Sequence, residues 1–147
     1  MVKPVLRVDD TKLQSWLSHE PEREAESLRL FQEEGSILVM AEMRQQVPIR
    51  TGFLRESITT RITPAGFTVE PTAPYALAVE KGTGPHTIFP VRAKVLRFET
   101  EAGAIIFARY MKHPGFPGRF FVKRTAEAVR ERLRELAENI LRRLYHA

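Results

Sequence analysis

The sequence predicts an α+β fold, in which an antiparallel sheet of about four to five strands packs against one long helix in the N-terminal half and another at the C-terminus. Three observations lead there. Apolar residues recur at steps of three and four over residues 21–46 and again over 119–147. The stretch between them breaks into short alternating runs punctuated by Gly and Pro. Between the first helix and those runs stands Val47-Pro-Ile-Arg-Thr-Gly52, where the local chemistry stops one kind of structure and starts another.

Composition bounds the possibilities. A chain of 147 residues suits a single domain spanning 1–147. Its hydrophobic fraction of 43% and charged fraction of 28% are ordinary for a water-exposed protein, and no apolar run approaches the roughly 20 residues of a membrane span. The first ten residues lack the apolar core and small-residue cleavage site of a secretory signal, which predicts synthesis in the cytoplasm. With no cysteine, disulfides, thiolate catalysis and cysteine-held zinc are excluded. The net charge is +5, and 17 of the 23 basic residues are arginine. That balance permits nucleic acid or an acidic protein surface as a partner and does not choose between them.

In chain order, residues 1–20 read as an N-terminal extension with a short helix. It begins after Asp9 or Asp10, either of which can cap, and carries Leu13, Trp16 and Leu17. Pro21 suits the first turn of the long helix, and Glu22 and Glu24 sit where its dipole favours anions. The apolar stripe of that helix is Leu28, Phe31, Leu38 and Ala41, widened by Leu30, Ile37 and Met40. Gly35 interrupts the stripe, either to let another backbone approach or at a plain cost of roughly 1 kcal/mol in helix propensity.

Pro48 ends the helix, Gly52 is free to take a positive φ, and Leu54, Arg55, Ser57 and Ile58 are expected to launch the first strand. Arg50 and Arg55 are the most exposed side chains of this turn. Their plainer meaning is solvated charge beside a structural turn; the functional one is contact with a partner.

Residues 57–62 and 67–70 alternate around Pro64-Ala-Gly66 and predict a hairpin. Residues 75–83 predict one or two helical turns closed by Gly82, and 84–89 a loop. Residues 92–98 and 104–110, turning at Gly103, predict a second hairpin. Two prolines and two glycines within 112–118 predict a loop, the kind of segment on which binding functions are presented. After Arg119-Phe-Phe121 comes the clearest helix, with Val122, Ala126, Val129, Leu133, Leu136, Ile140 and Leu144 on one side. Residues 119–147 hold eight Lys or Arg against four Glu, a solvated amphipathic face before it is a DNA-tracking one.

Catalytic patterns are missing. His19, His86, His113 and His146 stand singly, none at the spacing of a helical metal pair, and no serine has a nucleophile-elbow context. No phosphate-binding or dinucleotide glycine pattern occurs. Glu80 with His86 or His113 is the one conceivable acid/base pair. The expectation is a non-enzyme without cofactor or metal.

Four pieces in order carry a resemblance: Pro48-Ile-Arg-Thr-Gly-Phe-Leu-Arg-Glu-Ser-Ile58, Tyr75-Ala-Leu-Ala-Val-Glu-Lys-Gly-Thr83, Lys94-Val-Leu-Arg-Phe98, and His113-Pro-Gly115 followed by Arg119-Phe-Phe121 and a terminal helix. Over about residues 22 to 145 the chain resembles the gene-ten-like tail-component family of long-tailed phages. The resemblance implies a small virion protein of the head-to-tail neck, similar to minor tail and tail-completion proteins. Such a protein works by binding connector and tail proteins, as a homo-oligomer or as part of a ring. It also implies residence in the host cytoplasm during assembly and in the virion afterwards; the basic charge adds the expectation of weak contact with packaged DNA, and the lack of a long apolar run that of no membrane.

Under this reading the turn at 48–55 and the loops at 81–92 and 112–119 present the interface. Its candidate residues are Arg50, Thr51, Arg55, Glu80, Lys81, Thr83, His86, His113, Phe116 and Arg119. Arg50 and Arg55 are expected to pair with Glu80 or with acidic residues of a neighbour. Gly52, Gly82 and Gly115 read as backbone freedom, and Leu54, Tyr75 and Phe121 as core. The rival function is a non-specific nucleic-acid-binding protein that lays its arginine-rich last helix along phosphates. Against it, glutamates interrupt the basic face and no aromatics alternate with basic residues on a strand.

Overall fold

The computed structural model describes residues 3–12, 14, 21–100 and 102–145. Strand β1, Leu6–Asp9, opens the chain. Helix α1 covers Pro21–Gln46, and a single helical turn, α2, covers Phe53–Glu56. Strands β2, Ile58–Thr63, and β3, Gly66–Pro71, form the hairpin turned at Pro64-Ala65. A short helix, α3, spans Ala76–Lys81. Six short strands come next: β4 Gly82–Thr83, β5 His86–Ile88, β6 Leu96–Glu99, β7 Ile105–Ala108, β8 Met111–His113 and β9 Phe116–Pro117. Helix α4, Phe121–Tyr145, closes the fold. No helix among the described residues is long and apolar enough to cross a membrane.

The fold is α+β with two long helices, as expected, but its main sheet has three strands in the order β1-β3-β2, all antiparallel. The third strand comes from the stretch expected to be an extension. Leu6 and Val8 lie opposite Val69 and Phe67, so the N-terminus pairs with the hairpin's inner strand. The expected helix after Asp9 starts at residues 11 and 12, where the Asp9 carboxylate accepts the Thr11 backbone N–H at 2.9 Å. That bond holds the Asp9 carboxyl below its ordinary range. Leu13, Trp16 and Leu17 lie outside the described residues. Asp10, buried, accepts the side-chain amides of Gln14 and Gln32 at 2.8 and 2.7 Å and so ties β1 to α1.

Helix α1 lies on the sheet and against α4, with Phe67 of the central strand tilted on Phe31 at 6.3 Å. Its buried positions are Ser27, Phe31, Gly35, Ser36, Val39 and Met43, and Val47 just beyond its end is buried too. The expected stripe is partly wrong, because Ile37 and Ala41 are exposed while Val39 and Met43 are fully buried. Counting only apolar residues hid the small polar ones that share the buried face. At Gly35 the space is taken by side chains, not by a backbone: an added Cβ would stand 3.1 Å from the Phe67 ring and 3.3 Å from Leu133. Each large side chain fully buried along this seam contributes roughly 1.5–3 kcal/mol.

Helices α1 and α4 run antiparallel, since Glu42 meets Arg132 at 3.0 Å, Glu34 meets Arg143 at 3.4 Å and Arg124 donates to the Gln46 carbonyl at 3.0 Å. Phe121, Thr125, Val129 and Ile140 of α4 are buried, with Leu133, Leu136 and Leu144 packed beside them. The last helix therefore keeps closely to its sequence pattern.

The remaining strands form three two-stranded ribbons, β4-β9, β5-β8 and β6-β7, and none joins the sheet. They nest inside one another. Gly82 pairs with Pro117, Ile88 with Met111 and Leu96 with Ala108, so residues 82–117 make one interrupted hairpin. Two expected loops, 84–89 and 112–118, are the two sides of this arm. Prolines at positions 85, 90, 114 and 117 only interrupt it, because a two-stranded ribbon is all edge and tolerates missing donors. The outer ladder is offset where residues 89–95 face only 109 and 110. Extended at roughly 3.3 Å per residue, residues 105–117 span up to about 40 Å.

Candidate functional site

The turn that closes α1 begins where expected: the helix ends at Gln46, and Val47 still donates to the Met43 carbonyl at 3.1 Å before Pro48 breaks the ladder. Gly52 takes φ 85, the left-handed conformation that reverses the chain. The expected strand does not start here. Phe53–Glu56 makes one helical turn, with Glu56 and Ser57 donating to the carbonyls of Gly52 and Phe53, and this points Leu54 into the core. Arg55 falls on the outside of that turn.

Glu80 was expected as an interface residue paired with an arginine. It is instead buried, and its carboxylate accepts the backbone N–H of Val122 at 2.9 Å and of Lys123 at 3.4 Å. These are donors of the first turn of α4 that no carbonyl within the helix can satisfy, and the negative charge also suits the helix's positive end. Glu80 makes no hydrogen bond to His86 or His113, whose Nδ1 atoms bond Gly84 and Gly115 instead. Backbone bonds reinforce the junction, because Arg119 donates to Val79 at 2.9 Å and Phe120 to Glu80 at 3.0 Å. Phe120, at φ 50, accepts a strained backbone there.

The root of the arm is closed by glycines. Gly82 and Gly115 have φ 79 and 82, and a Cβ on either would collide with the facing backbone, at Phe116–Gly118 for the first and Thr83–Gly84 for the second. Their expected role as backbone freedom holds, and close approach adds to it.

These local arrangements bring three separate sequence pieces to one place. Pro48 to Gly52 with Leu54, then Tyr75 and Val79 beside and within α3, then Phe116, Pro117 and Arg119 enclose a groove of about 690 Å³. Of the candidate residues, Arg50, Thr51, Phe116 and Arg119 line it. Arg55 lies on a smaller adjoining depression of about 370 Å³ with Arg44, Ile49, Gly52 and Glu56. Among the described residues, the guanidiniums of Arg50, Arg55 and Arg119 have no hydrogen-bond or ion-pair partner. Leu54 and Phe121 are core, as expected, but Tyr75 is 43% exposed and stands beside Phe53 at 6.2 Å.

The other candidates lie along the arm. Lys81 is exposed at its base, and Thr83 pairs with Phe116 across β4-β9 with its hydroxyl buried and unpartnered. His86 and His113, which the sequence shows as isolated, face each other across β5-β8 with rings stacked at 5.0 Å. His86 donates from Nδ1 to the Gly84 carbonyl at 2.9 Å, and His113 Nδ1 accepts the Gly115 N–H at 3.0 Å. Nδ1 thus carries a hydrogen on His86 and none on His113. Among the described residues no group of three or more His, Cys, Asp or Glu could hold a metal ion; His19 and His146 lie outside them.

The arm itself is the feature sequence reasoning missed. Among the described residues, eight of the fifteen exposed large apolar side chains lie on it: Phe89, Val91, Val95, Ile105, Ile106, Phe107, Tyr110 and Phe116. In the outer ribbon Leu96, Phe98, Ile106 and Ala108 share one face, and Ile105 and Phe107 stand on the other beside Arg97 and Glu99. The available signal was the run 104–110, in which Arg109 is the one charged residue. Searches against protein-family models, curated proteins and solved structures find no match to this chain.

Proposed function

We propose that this chain is a structural protein of a tailed phage or prophage particle, acting at the head-to-tail neck in tail completion or head-to-tail joining through protein–protein contacts. The observation that carries the reading is the arm. A two-stranded ribbon with Ile105, Ile106, Phe107 and Tyr110 exposed has no second layer of its own, and an isolated hairpin is marginal in water. Such a surface marks a site of protein contact. The order of the four motifs between Pro48 and Phe121 supplies the kind of particle, with connector and tail proteins as partners, a ring or homo-oligomer as the assembled state, and passage from host cytoplasm to virion.

The protein works by binding and not by chemistry, and needs no cofactor. The nucleic-acid reading is weaker because its key residues are engaged: Arg124, Arg132 and Arg143 hold α1, while Arg134 and Arg142 lie beside Glu138. What is left for packaged DNA is weak, salt-dependent phosphate attraction.

The test is deletion of the gene from its parent phage or prophage, induction, and negative-stain microscopy of the lysate beside a complemented control. Filled heads and separate tails are expected. Normal infectious particles would defeat the proposal, and tight, salt-dependent DNA binding by the isolated chain would favour the rival.

A further inference from the structure

The groove between the turn and the arm root holds two resources that the fold does not use. Its walls are apolar, from Leu54, Val79, Tyr75 and Phe116, and the exposed Arg50 and Arg119 line it with guanidiniums that have no partner among the described residues. Of the other arginines some pair internally, as at Arg61–Glu70 and Arg132–Glu42, and others, such as Arg55, have no partner among the described residues. We propose that this groove receives an extended segment of a partner protein carrying a large apolar side chain flanked by carboxylates. The proposal deepens the assembly reading and rests on it for the partner being a protein.

The walls dictate the chemistry of the occupant. A volume of about 690 Å³ is in the range of pockets that enclose a ligand, and apolar walls favour an aromatic or branched aliphatic anchor. Two guanidiniums offer forked donors that match carboxylates in geometry as well as charge. By net charge the arm of a second copy is a poor occupant, since residues 86–112 hold five Lys or Arg against two Glu, the same sign as the groove. Nor is it single-stranded nucleic acid, which needs a line of cations along its backbone and ring faces for successive bases. Here Leu54, Val79 and Pro117 supply aliphatic wall instead.

The experiment is ribosome display of random dodecapeptides on the immobilised full chain, in parallel with an Arg50→Ala/Arg119→Ala double variant. Both arginines are exposed and unpartnered, so the variant is expected to keep the parent's circular-dichroism melt. Enriched peptides should place Asp or Glu within two positions of Phe, Tyr, Trp, Leu or Ile. Made synthetically with a fluorescent label, they should bind the double variant at least about tenfold more weakly by anisotropy. Absence of enrichment, enrichment of basic or uncharged peptides, equal binding by the double variant, or stronger binding of oligothymidine would each overturn the proposal. These outcomes are separate from particle morphology, so a failed groove and a failed assembly role are told apart.

Discussion

Glu80 is the residue on which the two halves of the site depend. It bridges α3 to the first turn of α4 across 42 residues of chain, and both its oxygens are occupied by backbone N–H groups. Removing it leaves two helix donors without their acceptor in a part-buried place. Glu80→Ala is expected to lower the unfolding free energy by about 1–3 kcal/mol, and Glu80→Gln by less, because the amide oxygen still accepts one bond. Guanidinium-induced unfolding measured by circular dichroism checks this. A loss indistinguishable from that of an exposed glutamate such as Glu127 would contradict the capping role. From sequence, Glu80 read as an interface charge. No local pattern reveals a cap delivered from so far away, whereas a cap at Asp9 or Asp10 was legible, and the structure gives it to Asp9.

Among elements, the pairing of α1 with α4 decides how the arginine-rich helix is used. Glu42 is largely buried while Arg132 is half exposed, at 11% and 53% side-chain exposure, and they meet at 3.0 Å. Arg134 and Glu138, at 73% and 53%, meet at 3.7 Å in solvent. A double-mutant cycle to alanine should therefore find coupling of about 0.5–1 kcal/mol for Glu42–Arg132 and at most a few tenths for Arg134–Glu138. Equal couplings would mean that burial of Glu42 does not matter. The stripe of α4 could be read from its apolar period. That of α1 could not be read in full, because Ser27, Gly35 and Ser36 occupy buried positions. Small residues there let the facing side chains approach.

For the whole molecule, the arm is separable from the body. Strands β6 and β7 pack chiefly on each other, while the core is built by α1, α4 and the three-stranded sheet. Replacing residues 91–109 by a tight turn, and so keeping the β5-β8 root, should shift the melting temperature by no more than a few degrees. The same variant should fail to complement the gene deletion. Loss of the folded state would show that the arm belongs to the core. Full complementation would show that its apolar surface has no part in assembly.

The two long helices, the stop at Pro48, the 58–71 hairpin, the short helix ending at Gly82 and the second hairpin within 96–108 were all legible in the sequence, because each is written in the period or punctuation of neighbouring residues. So was the placing of Arg50, Thr51 and Arg119 among exposed residues outside the helices and strands, whereas Phe116, expected on a loop, lies in β9. Folding in three dimensions was needed to show that these four line one groove, that Arg55 faces a neighbouring depression, and that Glu80 caps a helix. The same holds for His86 stacked on His113, β1 completing the sheet and 82–117 forming a free arm. The difference is one of range. Period and turn chemistry act over a few residues, whereas strand partners, caps and grooves are settled by which surfaces the core leaves next to one another.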